Sequence, residues 1–430
     1  MAGSVDPRLA GRDLAVDAAR VAALAFVVCA HILLVTLVTD PATGGVSNVM
    51  VPTLYPWFWW VTCLVQIMPL FFVVGGYASA VSWNRARSTH HGRDSTSPAG
   101  WVRARLLKLA QPAAALWVFL ALAYGAARVV GAPSDYVNAA LPGIGMHLWF
   151  LGAYGLCMAA VPLTTAAHRR RPYLSLGVLL AAVVMVELIR VGTGQPWWGL
   201  LGLGPVWVAI HQLGYLRADG TFGRCPPWLL VVMAAAGYLG LAVLTSMPAW
   251  SRDMLTNLNP PTMALFLLGL SQACLLQLLT PLLDRLMRHK PIQTVAWVIG
   301  SRPVTLYLWH LPVIVCVMAV WWLVGGPEPA VDSAAWWLWR VPLAAICWVA
   351  VLAVVPLAGS VEARSSVDSR SPVTWLPVLI ALVLVVVPAV LEIRFLFTPW
   401  LVLGGAVAHV VAVGLLRRVR PPARRHGSPC

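Results

Sequence analysis

The chain has 430 residues, 60% hydrophobic and only 10% charged, with a mean hydropathy of +0.79. A soluble domain carries about 25% charge, so the composition excludes a soluble globular protein and describes a polytopic membrane protein with polar residues kept to loops and a few intramembrane positions. The net charge of +15 does not signal a nucleic-acid partner: no nucleic-acid module is present, and basic loops on one side of a membrane account for most of it.

Twelve apolar spans are predicted, beginning near Leu14, Trp57, Leu109, Met146, Leu174, Trp198, Trp228, Pro261, Pro303, Leu338, Trp375 and Pro399. Most run about 18 to 25 residues, enough to cross a bilayer. The expected fold is an all-α, polytopic transmembrane helix bundle. The first span is long, contains Arg20 and lacks a small-residue cleavage site, so it reads as a retained membrane helix and not as a signal peptide.

Within that first span, "RVAALAFVVCAH" opens on Arg20 and closes on His31. Eleven helical residues rise ~16 Å and turn about 20° past three full turns, so both side chains share one face, one near the membrane surface and one deep. Ionisable groups at such depth are functional candidates. Against that stands a plainer reading, in which Arg20 pairs with Asp17 and snorkels while His31 bonds another helix.

Further along the chain, Gln66 lies in the second span. The longest loop, Asn84 to Lys108, is basic and ends in "WVRARLLKLAQP". Arg103, Arg105 and Lys108 there read either as a topology signal or as a phosphate-binding patch. His147 starts the fourth span in "HLWFL", and Glu187 and Arg190 end the fifth. His211 and Gln212 lie in the sixth, His310 in "YLWHLPV" of the ninth, Glu392 and Arg394 at the end of the eleventh, and His409 in the twelfth. Histidines from several spans can line one cavity, or make ordinary interhelical hydrogen bonds. For His211 and His409 the second reading is preferred. The last residues, "RRVRPPARRHGSPC", form a basic tail expected to be disordered and to lie against anionic lipid.

Starting the N-terminus in the cytoplasm places 25 of the 30 basic residues on the cytoplasmic side. The remaining five, Arg128, Arg190, Arg252, Arg340 and Arg394, fall outside. That bias predicts a cell-membrane protein with both termini cytoplasmic. The eight cysteines lie mostly in apolar runs and form no close ligand pair, so neither a disulfide framework nor a metal site is expected.

Taken together, four segments resemble the acyltransferase-3 family of integral membrane O-acyltransferases. "DAARVAALAFVVCAH" resembles its first-helix signature, with ten residues between arginine and histidine. "MPLFFVVGGYASA" is similar to its second helix, "WVRARLLKLAQP" to its basic loop and third helix, and "HLWFL" and "SRPVTLYLWHLPV" to later helices. Gly75 stands where the family usually has serine, and Lys108 where it usually has arginine. The family core has about ten spans, so the resemblance implies an acyltransferase domain over residues 1–373, an additional helix pair over 374–416, and a basic tail over 417–430.

The resemblance implies an acyl-CoA donor on the cytoplasmic side and a hydroxylated acceptor, often a sugar, with the lipid bilayer as surroundings. No bound cofactor and no metal are needed. His31 is then the candidate general base, and Arg20 the group nearer the cytoplasm that holds the donor. Arg103, Arg105 and Lys108 are candidates for the CoA phosphates, and His147, Tyr307 and His310 for the substrate cavity. A transporter or flippase for a polar or glycolipid substrate is the alternative. The absence of an internal repeat weighs against it.

Overall fold

The computed structural model describes residues 13–39, 46–88, 96–132, 134–327, 329–371 and 373–418. The N-terminal residues 1–12, the middle of the basic loop and most of the C-terminal tail lie outside these. In chain order the helices are α1 (Leu14–Leu34), α2 (Phe58–Val65), α3 (Met68–Ser88), α4 (Pro98–Val129), α5 (Ser134–Gly145), α6 (Trp149–Arg170), α7 (Pro172–Thr193) and α8 (Leu203–Ala218). They continue with α9 (Thr221–Arg224), α10 (Pro227–Ser246), α11 (Met263–Leu286), α12 (Lys290–Gly300), α13 (Pro303–Leu323), α14 (Ala334–Ala363), α15 (Trp375–Phe395) and α16 (Pro399–Arg417). Among the described residues, twelve stretches are long and apolar enough to cross a membrane, each overlapping one of the twelve predicted spans. The third begins at Pro98 and not near Leu109, so Arg103, Arg105 and Lys108 lie within α4 and not in a loop. The protein is a multi-pass membrane bundle. One small departure from an all-helical reading is an antiparallel ribbon pairing Leu37–Thr39 with Val46–Asn48 just beyond α1.

Several helix starts are written in local sequence. Asp13 caps α1 by accepting from the Val16 amide at 3.0 Å, and Ser97, Ser333 and Thr398 cap α4, α14 and α16 in the same way. Prolines occupy the first turns of α4, α7, α10, α13 and α16, where no amide proton is missed. Below, the side on which α1 begins is called the near side and the opposite one the far side.

Two spans are not continuous. Gln66 and Ile67 break the second between α2 and α3, and residues 146–148 break the fourth between α5 and α6. The Gln66 carbonyl freed by the first break accepts from Gln272 at 2.7 Å. Irregular backbone at this depth is tolerated only where protein supplies such partners.

Helices α3 and α8 touch backbone to backbone. A methyl group on Gly76 would lie 1.8 Å from the His211 carbonyl oxygen, and one on Gly214 would lie 2.1 Å from that of Val73. Only glycine permits this approach, the usual device where no hydrophobic effect drives helices together. Helices α1 and α13 run side by side in the same direction. Gly300, which ends α12, sits against Val21, and ten residues further along α13 His310 reaches the level of His31.

The last two spans pack into the bundle, α15 along α6 and α16 along α4. Gly152 receives Ala389, and Gly405 receives the ring of Trp117. Phe397, Val402 and Ala406 belong to the same apolar core as residues of α1, α6 and α8. On the near side, Arg103 Nε donates to the Leu416 carbonyl at 2.6 Å, and Arg417 donates to Gln111 at 2.8 Å. Gln111 in turn donates to the Val361 carbonyl at 3.0 Å, so α4, α14 and α16 are tied together.

Candidate active site

Three histidines from three separate elements meet on the far side of the bundle. His31 lies in the last turn of α1, His147 in the break between α5 and α6, and His310 in α13. His310 and His31 face each other with Nε2 and Nδ1 3.0 Å apart. The His147 ring centroid is 5.2 Å from that of His310 and 5.3 Å from that of Tyr307. His147 and His310 are fully buried, while His31 keeps partial exposure.

The protons can be assigned from the partners, because a carbonyl only accepts. His310 Nδ1 lies 2.5 Å from the Tyr307 carbonyl, so it carries the proton and Nε2 is left to accept. His31 Nδ1–H therefore donates to His310 Nε2, and the lone pair of a neutral His31 is on Nε2. His147 Nε2 donates to the Leu308 carbonyl at 3.2 Å, which leaves its Nδ1 as a buried acceptor without a partner.

The Leu308 carbonyl is available for a local reason. In a regular helix it would bond the amide of residue 312, but residue 312 is proline and has no amide proton. Pro312 thus creates the acceptor that fixes the His147 tautomer. The Tyr307 hydroxyl donates to the His147 carbonyl at 2.9 Å and props the break that carries this ring. His31 and His310 are bonded to each other, and the His147 ring packs beside His310. Among the described residues no group of three His, Cys, Asp or Glu is placed to hold a metal ion.

A second group lies on the near side. Arg20 bonds Asp17 at 3.1 Å, and its Nε is left without a partner. Arg105 donates to the Ser82 hydroxyl, and its guanidinium stands 5.4 Å above the Trp101 ring. Tyr154, on α6, interacts electrostatically with both Arg105 and Arg20. Lys108 is exposed and interacts electrostatically with Arg105 and Glu362. Gly75 leaves room for Tyr154: a methyl group there would lie 3.0 Å from the tyrosine ring, tighter than most contacts allow. A glycine in place of the expected serine therefore accommodates this tyrosine.

The expected residues do not all fall together. Arg20, Arg105 and Lys108 share the near-side group, and His31, His147, Tyr307 and His310 form the far-side cluster. Arg103 departs from the expected patch. Two residues from Arg105, it points to the other side of α4, where it is 1% exposed and bonds the carbonyl end of α16. That is the place for a cation that completes a helix C-terminus.

His31 lies in the last turn of α1, with Arg20 six residues from the near-side start. Glu187, at the end of the fifth span, serves a neighbouring helix: its carboxylate accepts from the Met263 amide at 2.7 Å and from Trp250 at 3.1 Å, capping α11. Among the described residues His409 makes no hydrogen bond to another helix: its Nδ1 bonds the Gly405 carbonyl one turn back in α16, and its contact across helices is a ring stack on Trp117 of α4, with centroids 5.2 Å apart.

Two further charged residues stand near the far-side cluster. Arg340, which the basic-residue count assigns to the outer side, is 6% exposed and bonds the end of α1. Glu392, on α15, is 7% exposed and interacts electrostatically with Tyr307. The signal that could have found both is a charge within an apolar span near its end, which by default marks a partner or a site.

Comparison with known proteins agrees with the motifs. None of the curated proteins and none of the solved structures compared with the chain matches it. The family model named Acyl_transf_3, described as an acyltransferase domain, matches residues 13–359, which takes in Arg20, His31, His147 and His310 and ends within α14. With most of its length matched, this chain belongs to the acyltransferase-3 family and is a membrane acyltransferase.

Proposed function

We propose that the protein moves an acyl group, acetyl being the smallest, from cytoplasmic acyl-CoA to a hydroxyl of a carbohydrate, a glycolipid or a glycosylated natural product. The observation that carries this reading is the free Nε2 lone pair of His31, oriented through its bond to His310 and set on the same helix as Arg20. A hydroxyl is a poor nucleophile at neutral pH, and a neutral imidazole is a suitable base. The hydroxyl gives its proton to His31 Nε2 as its oxygen attacks the thioester carbonyl carbon. The C–S bond then breaks, and His31 returns the proton to the departing CoA sulfur. No proton is gained or lost overall.

His310 acts by holding His31 in the required tautomer. His147 Nδ1 offers the acceptor hydroxyl a hydrogen-bond acceptor, and Tyr307 holds His147 in place. The donor enters from the near side, where Arg105, Lys108 and Arg20 meet its phosphates and pantetheine arm. The ~16 Å rise between Arg20 and His31 is a length that an extended pantetheine covers. Arg103 is left out of the donor site because its Nε is committed to α16. The 25-to-5 bias of basic residues supports a cytoplasmic near side in the cell membrane, with both termini there.

The test uses the purified full-length protein in lipid nanodiscs with radiolabelled acetyl-CoA and a lipid and glycan extract as acceptor. Label should move into the extract with the wild type and not with His31→Ala. Equal transfer by the two proteins, or none by the wild type with any acyl-CoA, overturns the reading.

A further inference from the structure

Arg340 lies in the seventh position of α14, inside an apolar span, and is 6% exposed. A charge so placed needs partners. The bonds it makes are all to neutral groups, and all to one place. Nη1 donates to the carbonyls of Ile32 at 3.0 Å and Val35 at 3.1 Å, and Nη2 donates to the Thr36 hydroxyl. The guanidinium lies 4.1 Å from the centroid of the Trp336 ring, which fixes its plane.

The end of a helix leaves carbonyls without intrahelical donors. In α1 the Val35 amide returns to the His31 carbonyl at 2.9 Å, and the carbonyls that follow are those Arg340 takes. The positive charge is also favoured by the negative end of the helix dipole. Arg340 thus clamps the turn that carries His31, beginning at the next residue in the chain. On the other side of that turn is His310, 3.0 Å away. His310 belongs to α13, which packs against α14. The clamp and the histidine pair are therefore two ties between α1 and the same pair of helices.

We propose that Arg340 is a positioning residue for acyl transfer: by bridging two terminal carbonyls of α1 it holds His31 in register with His310. It touches neither donor nor acceptor. The proposal rests on the reading of His31 as the base. A fork of two donor nitrogens suits two carbonyls and a hydroxyl at once, whereas lysine offers a single nitrogen.

The full-length protein is compared as wild type, Arg340→Lys and Arg340→Gln, with two readouts. The first is carbethoxylation of each histidine by diethyl pyrocarbonate, followed by mass spectrometry, which needs no activity. With Arg340→Gln, labelling of His31 should rise severalfold, with His168 and His409 unchanged, and Arg340→Lys should lie between. The second is acetyl-CoA turnover. There kcat should fall about tenfold in Arg340→Gln, the loss of charge-assisted hydrogen bonds, with KM for acetyl-CoA unchanged. Unchanged His31 labelling in Arg340→Gln overturns the proposal. Labelling that rises equally at all three histidines also overturns it, since Arg340 would then only hold the bundle together. If the wild type shows no turnover, the acyl-transfer reading fails, while the labelling result still decides whether Arg340 positions His31.

Discussion

A single buried histidine on one side of this bundle and a cluster of three on the other are built on opposite principles. On the near side, His168 is filled on both nitrogens: Nε2 pairs with Asp219 at 2.7 Å and Nδ1 accepts from Gln212 at 3.1 Å. Gln212 spends its remaining groups on the Pro172 carbonyl and Ser175. Nothing is left for a substrate. On the far side each bond of the cluster leaves a remainder: His31 keeps Nε2 and His147 keeps Nδ1. His168 is as buried as His147 and His310, and His31 is the more exposed. What separates the two sides is whether the hydrogen-bond capacity has been used up. A closed network ties α6, α7 and α8 together, and an open one can exchange a proton with a ligand.

The largest effect should come from the open network. His31→Ala is expected to lower acyl transfer by about 10²–10⁴, the range for loss of a general base. The matched substitution His168→Ala should leave kcat in place and lower thermal stability instead, because it strands the buried polar groups around it. A scan of turnover and melting temperature for both variants checks this. If the two lose activity to the same degree, the contrast between open and closed networks collapses.

Next in size is the cation group of α4. Arg105→Gln with Lys108→Gln should raise KM for acetyl-CoA about tenfold or more, with kcat changed less, because phosphate contacts are alike in ground and transition states. Added salt should weaken donor binding more in the wild type than in this variant. Arg103→Gln should behave in the opposite way, lowering stability at the α16 terminus with KM unchanged. Correct membrane insertion is confirmed first by impermeant thiol labelling of Cys430, with the other cysteines replaced. Cys430 should stay unlabelled in intact cells.

A smaller effect is expected from Pro312→Ala. It supplies an amide proton to the Leu308 carbonyl, which His147 then has to share. Helix α13 should become more regular and no less stable, yet kcat should fall severalfold, as the loss of about 1 kcal/mol from a buried hydrogen bond implies. Activity and melting temperature moving in opposite directions would mark the proline as part of the site. A parallel loss of both would make it part of the packing alone.

Much of this architecture is legible in the sequence. The twelve spans follow from apolar run length, and the Arg20–His31 spacing from helical geometry. The pairing of His31 with His310 is not legible that way. Periodicity gives the face of one helix but not its register against another; here Gly300 lies against Val21, ten residues before each histidine of the pair. Arg103 and Arg105 look alike in the sequence and separate only when α16 arrives beside α4. Arg340 escaped for a related reason. Three residues inside a span, it counts as a loop charge until the end of α1 is seen to need it.

Helix α1 is held at both ends. Asp13 caps its start and bonds Arg217, itself fixed to Gln277 and Thr280, while Arg340 grips its finish. A rod so fastened is a ruler. On the proposed reading its two marks, Arg20 for the donor and His31 for the reaction, stand ~16 Å apart, and thioesters would be sorted by reach: a short thiol without pantetheine would span only one mark at a time, and a full-length arm would touch both.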